Sequence, residues 1–353
     1  MKNKNQSIKP LITTIIPTYR RPRLLSRAIK NVLNQTYPNF QICVYDNASN
    51  DETRSIVLEL GKEDSRLKYY CHSENIGALA NFNYGLLHVQ TPFFSILSDD
   101  DIVLPHFYQT ALEGFEKYPN AIFSAGSVIS MTDKGQVLSN QLSSWPREGY
   151  FSAPDGLFQM LGMQHPTWTG VLFRKEVIDE IGILDSEVGL LADMDYELRI
   201  AARFGFVISK KPCAIWMAHP SSSCAVTNFK LGSFWPGWLK IIANLYEDDR
   251  IEIETRKYAE SHLTHQIQQI LYTTRFIINR QFTDSYLAAE ILGRNYNQKQ
   301  KAKRLYLFTK LCEFIPPAYY LLLCRDRARN VAKRRQNRHV QQQLGSYAKF
   351  LNL

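Results

Sequence analysis

The chain of 353 residues is 45% apolar and 21% charged, an ordinary globular composition with room for one large or two modest domains, and this excludes collagen-like, disordered and disulfide-stapled classes. Its net charge of +9 is unevenly placed: positions 1–225 hold 21 Lys+Arg against 23 Asp+Glu, and positions 226–353 hold 21 against 10. The second part therefore carries +11, a charge that gathers near polyanions such as nucleic acid or an anionic membrane face.

The first apolar run, Leu11 to Ile16, stops at Pro17, too short for a signal-peptide core or a membrane span, so no export is predicted. From residue 11 to about 130, short β-branched runs alternate with helix-period stretches, the pattern of βαβ units around a parallel sheet. Strands are predicted at Ile12–Ile16, Gln41–Tyr45, Leu67–Cys71, Phe93–Leu97 and Ala121–Ile129. A helix over Arg23–Asn34 starts behind Pro22 and carries Leu24, Leu25, Ala28, Ile29, Val32 and Leu33 on one face; Asp51–Leu60 and Leu79–Val89 read similarly. Such sheets bind ligands at the carboxyl ends of their strands. Positions 130–190 are broken by Trp145, Pro146, Pro154 and Pro166 and read as a substrate-facing insert, with a strand at Gly170–Phe173 and a helix at Arg174–Ile181. Asp193–Phe204 is predicted helical and Phe206–Ile208 and Ala214–Met217 are predicted strands. From about Phe234 the pattern is all-helical, which divides the chain into 1–225 and 226–353. The six cysteines show no metal or disulfide spacing and fit a reducing cytosol.

The strand Phe93–Leu97 runs directly into Ser98-Asp99-Asp100-Asp101. Three adjacent carboxylates repel one another, so their place at the mouth of an apolar strand points to a compensating cation. Mg²⁺ or Mn²⁺ held by one or two carboxylates keeps positions open for substrate phosphates. The same aspartates suit the cap of a helix beginning near Pro105, and residue types alone leave both readings open. The first strand ends in Pro17-Thr18-Tyr19-Arg20-Arg21 and the second in Tyr45-Asp46-Asn47-Ala48-Ser49-Asn50-Asp51, so two more polar clusters fall on the same sheet edge. Asp46 can accept a hydrogen bond from the imide N–H of a pyrimidine, and Thr18 offers a hydroxyl to the same ring. Asp46 and Asn47 equally suit an Asx turn.

These clusters, with Asn75-Ile76-Gly77, Asn81-Phe82-Asn83, Pro105 and Asp193-Met194-Asp195 followed by Arg199, make the chain resemble a family-2 glycosyltransferase. The resemblance implies the α/β GT-A fold, a Rossmann-like, mostly parallel central sheet flanked by helices, with an all-helical C-terminal extension beyond the catalytic part. It implies inverting transfer of a sugar from a nucleoside-diphosphate sugar, UDP favoured, to a hydroxyl of a glycan or lipid-linked acceptor in cell-surface polysaccharide synthesis, with Mn or Mg as cofactor. On the donor side it places Pro17, Thr18, Tyr19, Arg20, Asp46, Asn75, Gly77, Asn83 and Asp99. Asp100 and Asp101 match the Asp-x-Asp metal position, joined by a late histidine at His219; Asp193 matches the catalytic base; Trp168, Thr169 and Gly170 match the acceptor-side segment. Three positions depart from the family pattern: Ser98 stands at the first Asp of the usual acidic form, Phe82 where many members carry Arg, and Ala192 where Glu usually precedes the base. Simpler roles compete at several positions. Asp193 suits a helix N-cap, Asp195 suits pairing with Arg199 at i+4 on the helix surface, and His219 and Trp168 also read as structural. His262 and His265 have no carboxylate or Cys company and read as a helix face.

Leu305 to Leu323 is rich in Leu, Tyr, Phe and Ile but is interrupted by Lys310, Glu313 and Pro316-Pro317, which favours lying in a membrane interface over spanning. Arg325, Arg327, Arg329, Lys333, Arg334, Arg335 and Arg338 follow, opposed only by Asp326, and fit anionic lipid or a solvated helical cap. The expected location is cytoplasmic, with peripheral attachment to the inner face of the cell membrane. A sugar-phosphate nucleotidyltransferase is the rival enzyme, disfavoured because Ile16-Pro17-Thr18-Tyr19-Arg20 has no phosphate-loop glycine. A nucleic-acid-binding protein is the rival of another class; no nucleic-acid partner is expected, because it would leave the strand-end carboxylates unexplained.

Overall fold

The computed structural model describes residues 10–162, 165–219 and 230–352, the last of these without the side chains of 328–338. Cys224 and the side chains of Arg329, Lys333, Arg334, Arg335 and Arg338 lie outside the described residues. The described residues fall into two compact units, one of Met1–Ser186, Ala192–Ser222 and Gln343–Leu353, the other of Glu187–Leu191 and Ser223–Gln342.

In the first unit, β1 (Ile12–Thr18), α1 (Pro22–Leu33), β2 (Phe40–Asp46), α2 (Thr53–Glu63), β3 (Leu67–Cys71), α3 (Ala78–Leu87) and β4 (Phe93–Ile96) form the expected alternation. Every residue of β1 is buried, as a parallel strand covered on both faces requires, and this is why its sequence is a run of β-branched residues with no exposed alternate position. Pro22 at the first turn of α1 supplies a preset φ where no hydrogen bond is lost, and Leu25, Ala28, Ile29 and Val32 bury one stripe of the helix. Each large aliphatic side chain so buried contributes roughly 1.5–3 kcal/mol. β1 pairs in parallel with β2 and β4, and Thr18 stands opposite Asp46. Chain continuing from Ile96, which is opposite Ile15, reaches the level of Thr18 at Asp99.

β5 (Ile102–Val103), α4 (Phe107–Lys117), β6 (Phe123–Thr132), β7 (Val137–Asn140), β8 (Gly149–Phe151), α5 (Asp155–Gly162), β9 (Val171–Arg174), α6 (Glu176–Ile181), α7 (Ala192–Arg203) and β10 (Phe206–Ala218) complete the unit. The sheet runs β3-β2-β1-β4-β9-β6-β10-β5, with β7 on β6 and β8 on β10. It is mixed, because β9 lies antiparallel to both β4 and β6. The two short strands expected between Phe206 and Met217 are one long strand, whose pairing with β6 shifts register between Ser209 and Pro212 and again between Pro212 and Ala214. Lys210, Lys211 and Pro212 at that bulge hide the continuity from a reading of periodicity. The insert at 130–190 holds regular elements as well, β7, β8 and α5, where the sequence shows only breakers.

The second unit is helical: α8 (Leu231–Glu247), α9 (Ile253–Leu271), α10 (Arg275–Ile278), α11 (Phe282–Arg294), α12 (Lys299–Phe314) and α13 (Pro316–Leu344), the last running on past the unit. Ala259, Leu263, Ile267 and Leu271 bury one stripe of α9, and the Trp238 indole N–H donates to Leu263 O at 3.3 Å. His262 lies on the same helix, stacked on Tyr258. Among the described residues, no single helix is long and apolar enough to cross a membrane.

Candidate active site

The carboxyl edge of β1, β2 and β4 gathers one connected polar network. The Thr18 hydroxyl donates to Asp99 Oδ2 at 2.7 Å, and Thr18 O accepts the Asn47 N–H at 3.0 Å. Asp46, fully buried, accepts the Ser49 N–H and hydroxyl on Oδ1 at 3.0 and 2.5 Å and the Tyr69 hydroxyl on Oδ2 at 2.5 Å. The Asx-turn chemistry is therefore present, and it leaves about one of the four acceptor positions of a carboxylate open. Ser49 in turn accepts the Arg20 N–H at 2.9 Å, where Arg20 adopts a left-handed backbone (φ 55°). This turn folds the end of β1 over the end of β2.

The three aspartates diverge although they are adjacent. Arg21 bridges two of them, donating to Asp99 Oδ1 at 3.1 Å and to Asp100 Oδ2 at 2.9 Å. His219 Nε2 lies 3.0 Å from the same Asp100 oxygen, and Arg27 donates to Asp100 O at 2.6 Å. Asp101 turns the other way: Oδ2 accepts the Thr169 hydroxyl at 2.7 Å and Oδ1 the Met217 N–H at 2.9 Å. It thereby ties the end of β4 to β10 and to the 3₁₀ turn Trp168–Gly170. None of them caps α4, which starts at Phe107 behind His106 without a side-chain cap. Burial and the neighbouring charge of Asp100 push Asp99 up to about 6 against the pull of Arg21, and burial holds Asp101 well above the usual carboxylate range.

The donor set suits a hard divalent ion. Asp100 Oδ2 and His219 Nε2 stand 3.0 Å apart, the separation of neighbouring ligands at bond lengths of about 2.1 Å in an octahedral shell. Among the described residues no group of three or more His, Cys, Asp or Glu makes a complete metal centre, so other ligands would be water or substrate oxygens.

Asp193 is half-buried in the first turn of α7, where its Oδ1 accepts the Met194 N–H at 2.8 Å. One helical turn on, Glu197 is buried and pairs with His165 Nδ1 at 2.8 Å, and its Oε1 has no hydrogen-bond partner among the described residues. The sequence reading missed this pair. Its one readable signal is Glu197 at i+4 from Asp193 on the inner face of the helix. Burial pushes Glu197 up to about 7, with Asp193 adding to the rise and His165 restraining it. Burial opposes charge on His165, but Glu197 and then Asp193 outweigh it and lift the imidazole to about 9. The segment 165–170 thus links the two clusters, facing Glu197 and Asp193 through His165 and Asp101 through Thr169.

Both shifts run upward, so the stability they contribute is present at low pH and lost as pH rises, through about 7 for Glu197 and about 9 for His165. In Glu197→Gln the pull of the carboxylate is gone, and burial is opposed by Asp193 and the Pro166 carbonyl. His165 is then expected to titrate more than one unit lower, read from its ring proton shifts by NMR; an unchanged midpoint would show that Glu197 does not set it.

The remaining expected residues take supporting places. Pro17 is buried in β1, opposite Tyr45, and Tyr19 is exposed beside it. Asn75 Oδ1 accepts from Asn47 Nδ2 at 2.8 Å and from the Gly77 N–H at 2.9 Å, and Gly77 enters α3 at φ 89°, which favours glycine. Asn83 clamps the backbone of Leu184 with both amide atoms, at 2.9 Å each. Trp168 packs on Phe82 with ring centres 5.0 Å apart. Gly170 is required by close packing: a Cβ there would stand 2.9 Å from Gly126 O. Asp195 does pair with Arg199, at 2.7 Å, but inside the protein rather than on the helix surface. The guanidinium continues to Ile181 O and Ile183 O.

Residues 13–182 match the family described as Glycosyl transferase family 2. The chain is 36% identical over 105 residues to a GalNAc(5)-diNAcBac-PP-undecaprenol beta-1,3-glucosyltransferase of Campylobacter jejuni, a stretch covering 30% of this chain and 34% of that protein. It is 27% identical over 204 residues to the putative colanic acid biosynthesis glycosyl transferase WcaA of Escherichia coli, covering 56% of this chain and 68% of that one. Among solved structures, TarS 1–349 of S. aureus in complex with UDP-GlcNAc superposes with a TM-score of 0.65 at 13% identity, over 84% of this chain and 90% of that one. The mannosyltransferase PcManGT of Pyrobaculum calidifontis in complex with GDP-Man and Mn²⁺ superposes with a TM-score of 0.56 at 15% identity, over 98% and 87%.

Proposed function

We propose that the chain, which shares the GT-A fold, is a family-2 glycosyltransferase that moves a sugar from a UDP-linked donor to a hydroxyl of a glycan or lipid-linked glycan, with inversion, in cell-surface polysaccharide synthesis. Residues 1–225 are the catalytic part and 226–353 a basic helical part that meets the inner face of an anionic membrane. The observation that carries the reading is the single network at the sheet edge, running from Asp46 through Ser49 and Arg20 and from Thr18 through Asp99 and Arg21 to Asp100 and His219. The names of the Campylobacter relative and of the S. aureus complex support a lipid-linked acceptor and a UDP donor.

The remaining acceptor position of Asp46 and the Thr18 backbone face the base, and Asp99 faces the ribose. Asp100 and His219 would hold Mn²⁺ or Mg²⁺, which when bound offsets charge on the departing diphosphate. Arg21, now on Asp99 and Asp100, is placed to turn toward the same phosphates. Asp193 takes the proton of the acceptor hydroxyl as that oxygen attacks the anomeric carbon from the face opposite the leaving group. Trp168 offers an aromatic face to the acceptor sugar.

Ligand at 100 times its Kd stabilises a fold by about 2.7 kcal/mol. Saturating UDP with Mn²⁺ is therefore expected to raise the melting temperature by roughly 5–10 °C, with less effect from UDP alone. No shift with any nucleoside diphosphate, with or without metal, would overturn the reading. Release of pyrophosphate from a nucleoside triphosphate and a sugar phosphate would replace it with nucleotidyl transfer.

A further inference from the structure

Residues 314–324, from Phe314 through Pro316-Pro317 to Cys324, contain no charged side chain. They form a corner: α12 and the first three turns of α13 meet at 109° across Ile315. The inner side of the corner is packed within its own helical unit. Leu305, Thr309 and Cys312 are buried along α12, with the Thr309 and Ser285 hydroxyls 2.7 Å apart. Tyr319 and Leu322 are buried on α13, and the Tyr319 hydroxyl donates to Ile278 O at 3.0 Å.

The outer side is apolar as well. Tyr306, Leu307, Leu311 and Phe314 on α12 are exposed, and so are Ile315 at the corner and Tyr320 and Leu321 on α13. Phe314 and Leu321, at the tip, are 68% and 72% exposed. An uncovered, contiguous set of this size marks an interaction surface. The charge beside it identifies the occupant: Lys303, Arg304 and Lys310 on α12 and Arg325 and Arg327 on α13 are exposed and make a basic collar in sequence on either side of the uncharged stretch, with Glu313 and Asp326 as its acidic members. Of the acidic residues nearby, Glu313 is tied down by the Tyr286 hydroxyl at 2.5 Å.

We propose that this elbow is a membrane wedge: Phe314, Ile315, Tyr320 and Leu321 enter one leaflet of an anionic bilayer while the collar binds its headgroups. An apolar tip flanked by Lys and Arg, with tyrosines at its edge, matches the acyl–headgroup boundary. The nine helical residues from Pro316 to Cys324 rise about 14 Å, short of the roughly 30 Å hydrocarbon core, and the sharp turn brings the chain back on the side it entered. The proposal rests on the reading of the C-terminal part as membrane-facing and assigns the residues that do it.

The test is flotation of the full chain with vesicles of phosphatidylcholine and phosphatidylglycerol, at 0.1 and 0.5 M salt, beside the double variant Phe314→Glu/Leu321→Glu. Both positions are exposed, so the variant is expected to keep the parent's melting temperature. The parent floats at both salts, because inserted apolar contacts are not screened. The variant loses at least about tenfold in bound fraction, and Leu321→Trp shows a blue-shifted emission on vesicles. A variant that floats like the parent, or binding abolished by 0.5 M salt, overturns the wedge while leaving a purely electrostatic attachment. A parent that never floats overturns the membrane reading itself. A parent that sediments as a dimer, where the double variant is a monomer, assigns the elbow to a second copy instead and overturns the proposal.

Discussion

Asp193→Asn is expected to lower the rate of sugar transfer by about 10³-fold while leaving donor affinity within a factor of two, the loss typical of a removed general base. The amide keeps the shape of the carboxylate and an oxygen able to accept the Met194 N–H, so the first turn of α7 survives. Asp193 hydrogen-bonds within its own helix, to the Met194 N–H, and UDP binding at the rim of Thr18, Asp99 and Asp100 should therefore be untouched. What disappears is a negative charge beside the His165–Glu197 pair, both of which feel Asp193. Single-turnover rates with a UDP-sugar and saturating acceptor, set against UDP titrations by calorimetry, separate the two effects. A helix-capping role alone would give a different pattern, a rate within a few-fold of the parent with the melting temperature unchanged, because asparagine caps as well as aspartate.

The sheet half that holds this chemistry was legible because its signal is local. β1 declares itself by a run of β-branched residues, α1 by Pro22 and its apolar stripe, and the polar clusters by falling directly after strands. The level of Thr18 with Asp99 follows from strand pairing, which alternation can suggest. The rest depends on contacts between distant residues. His165 and Glu197 are 32 positions apart, and nothing in either neighbourhood names the other. Asp195 and Arg199 announce their pairing by spacing, but not their burial, where the guanidinium also reaches the carbonyls of Ile181 at the end of α6 and Ile183 beyond it. The antiparallel place of β9 and the continuity of β10 through Pro212 are likewise set by neighbouring strands, which override a weak or broken local pattern.

The acidic run poses the same problem at its sharpest, since Asp100 and Asp101 are identical in type and adjacent in sequence. Their surroundings predict opposite consequences of mutation. Asp100→Asn removes charge from an oxygen that now meets Arg21 and His219, and both partners can still hydrogen-bond to the amide oxygen. The fold should hold, while Mn²⁺-dependent UDP affinity falls by about 100-fold or more and the metal dependence of transfer is lost. Asp101→Ala leaves the Thr169 hydroxyl and the Met217 N–H without their buried acceptor. Each unsatisfied group costs roughly 1–3 kcal/mol, so the melting temperature should drop by about 5–15 °C, whether or not metal is present. Calorimetric UDP titrations with and without Mn²⁺, run beside thermal unfolding of both variants, decide the matter. If Asp100→Asn keeps full metal-dependent affinity, the ion is not held there, and the bridge from Arg21 is then the cation that the diphosphate meets.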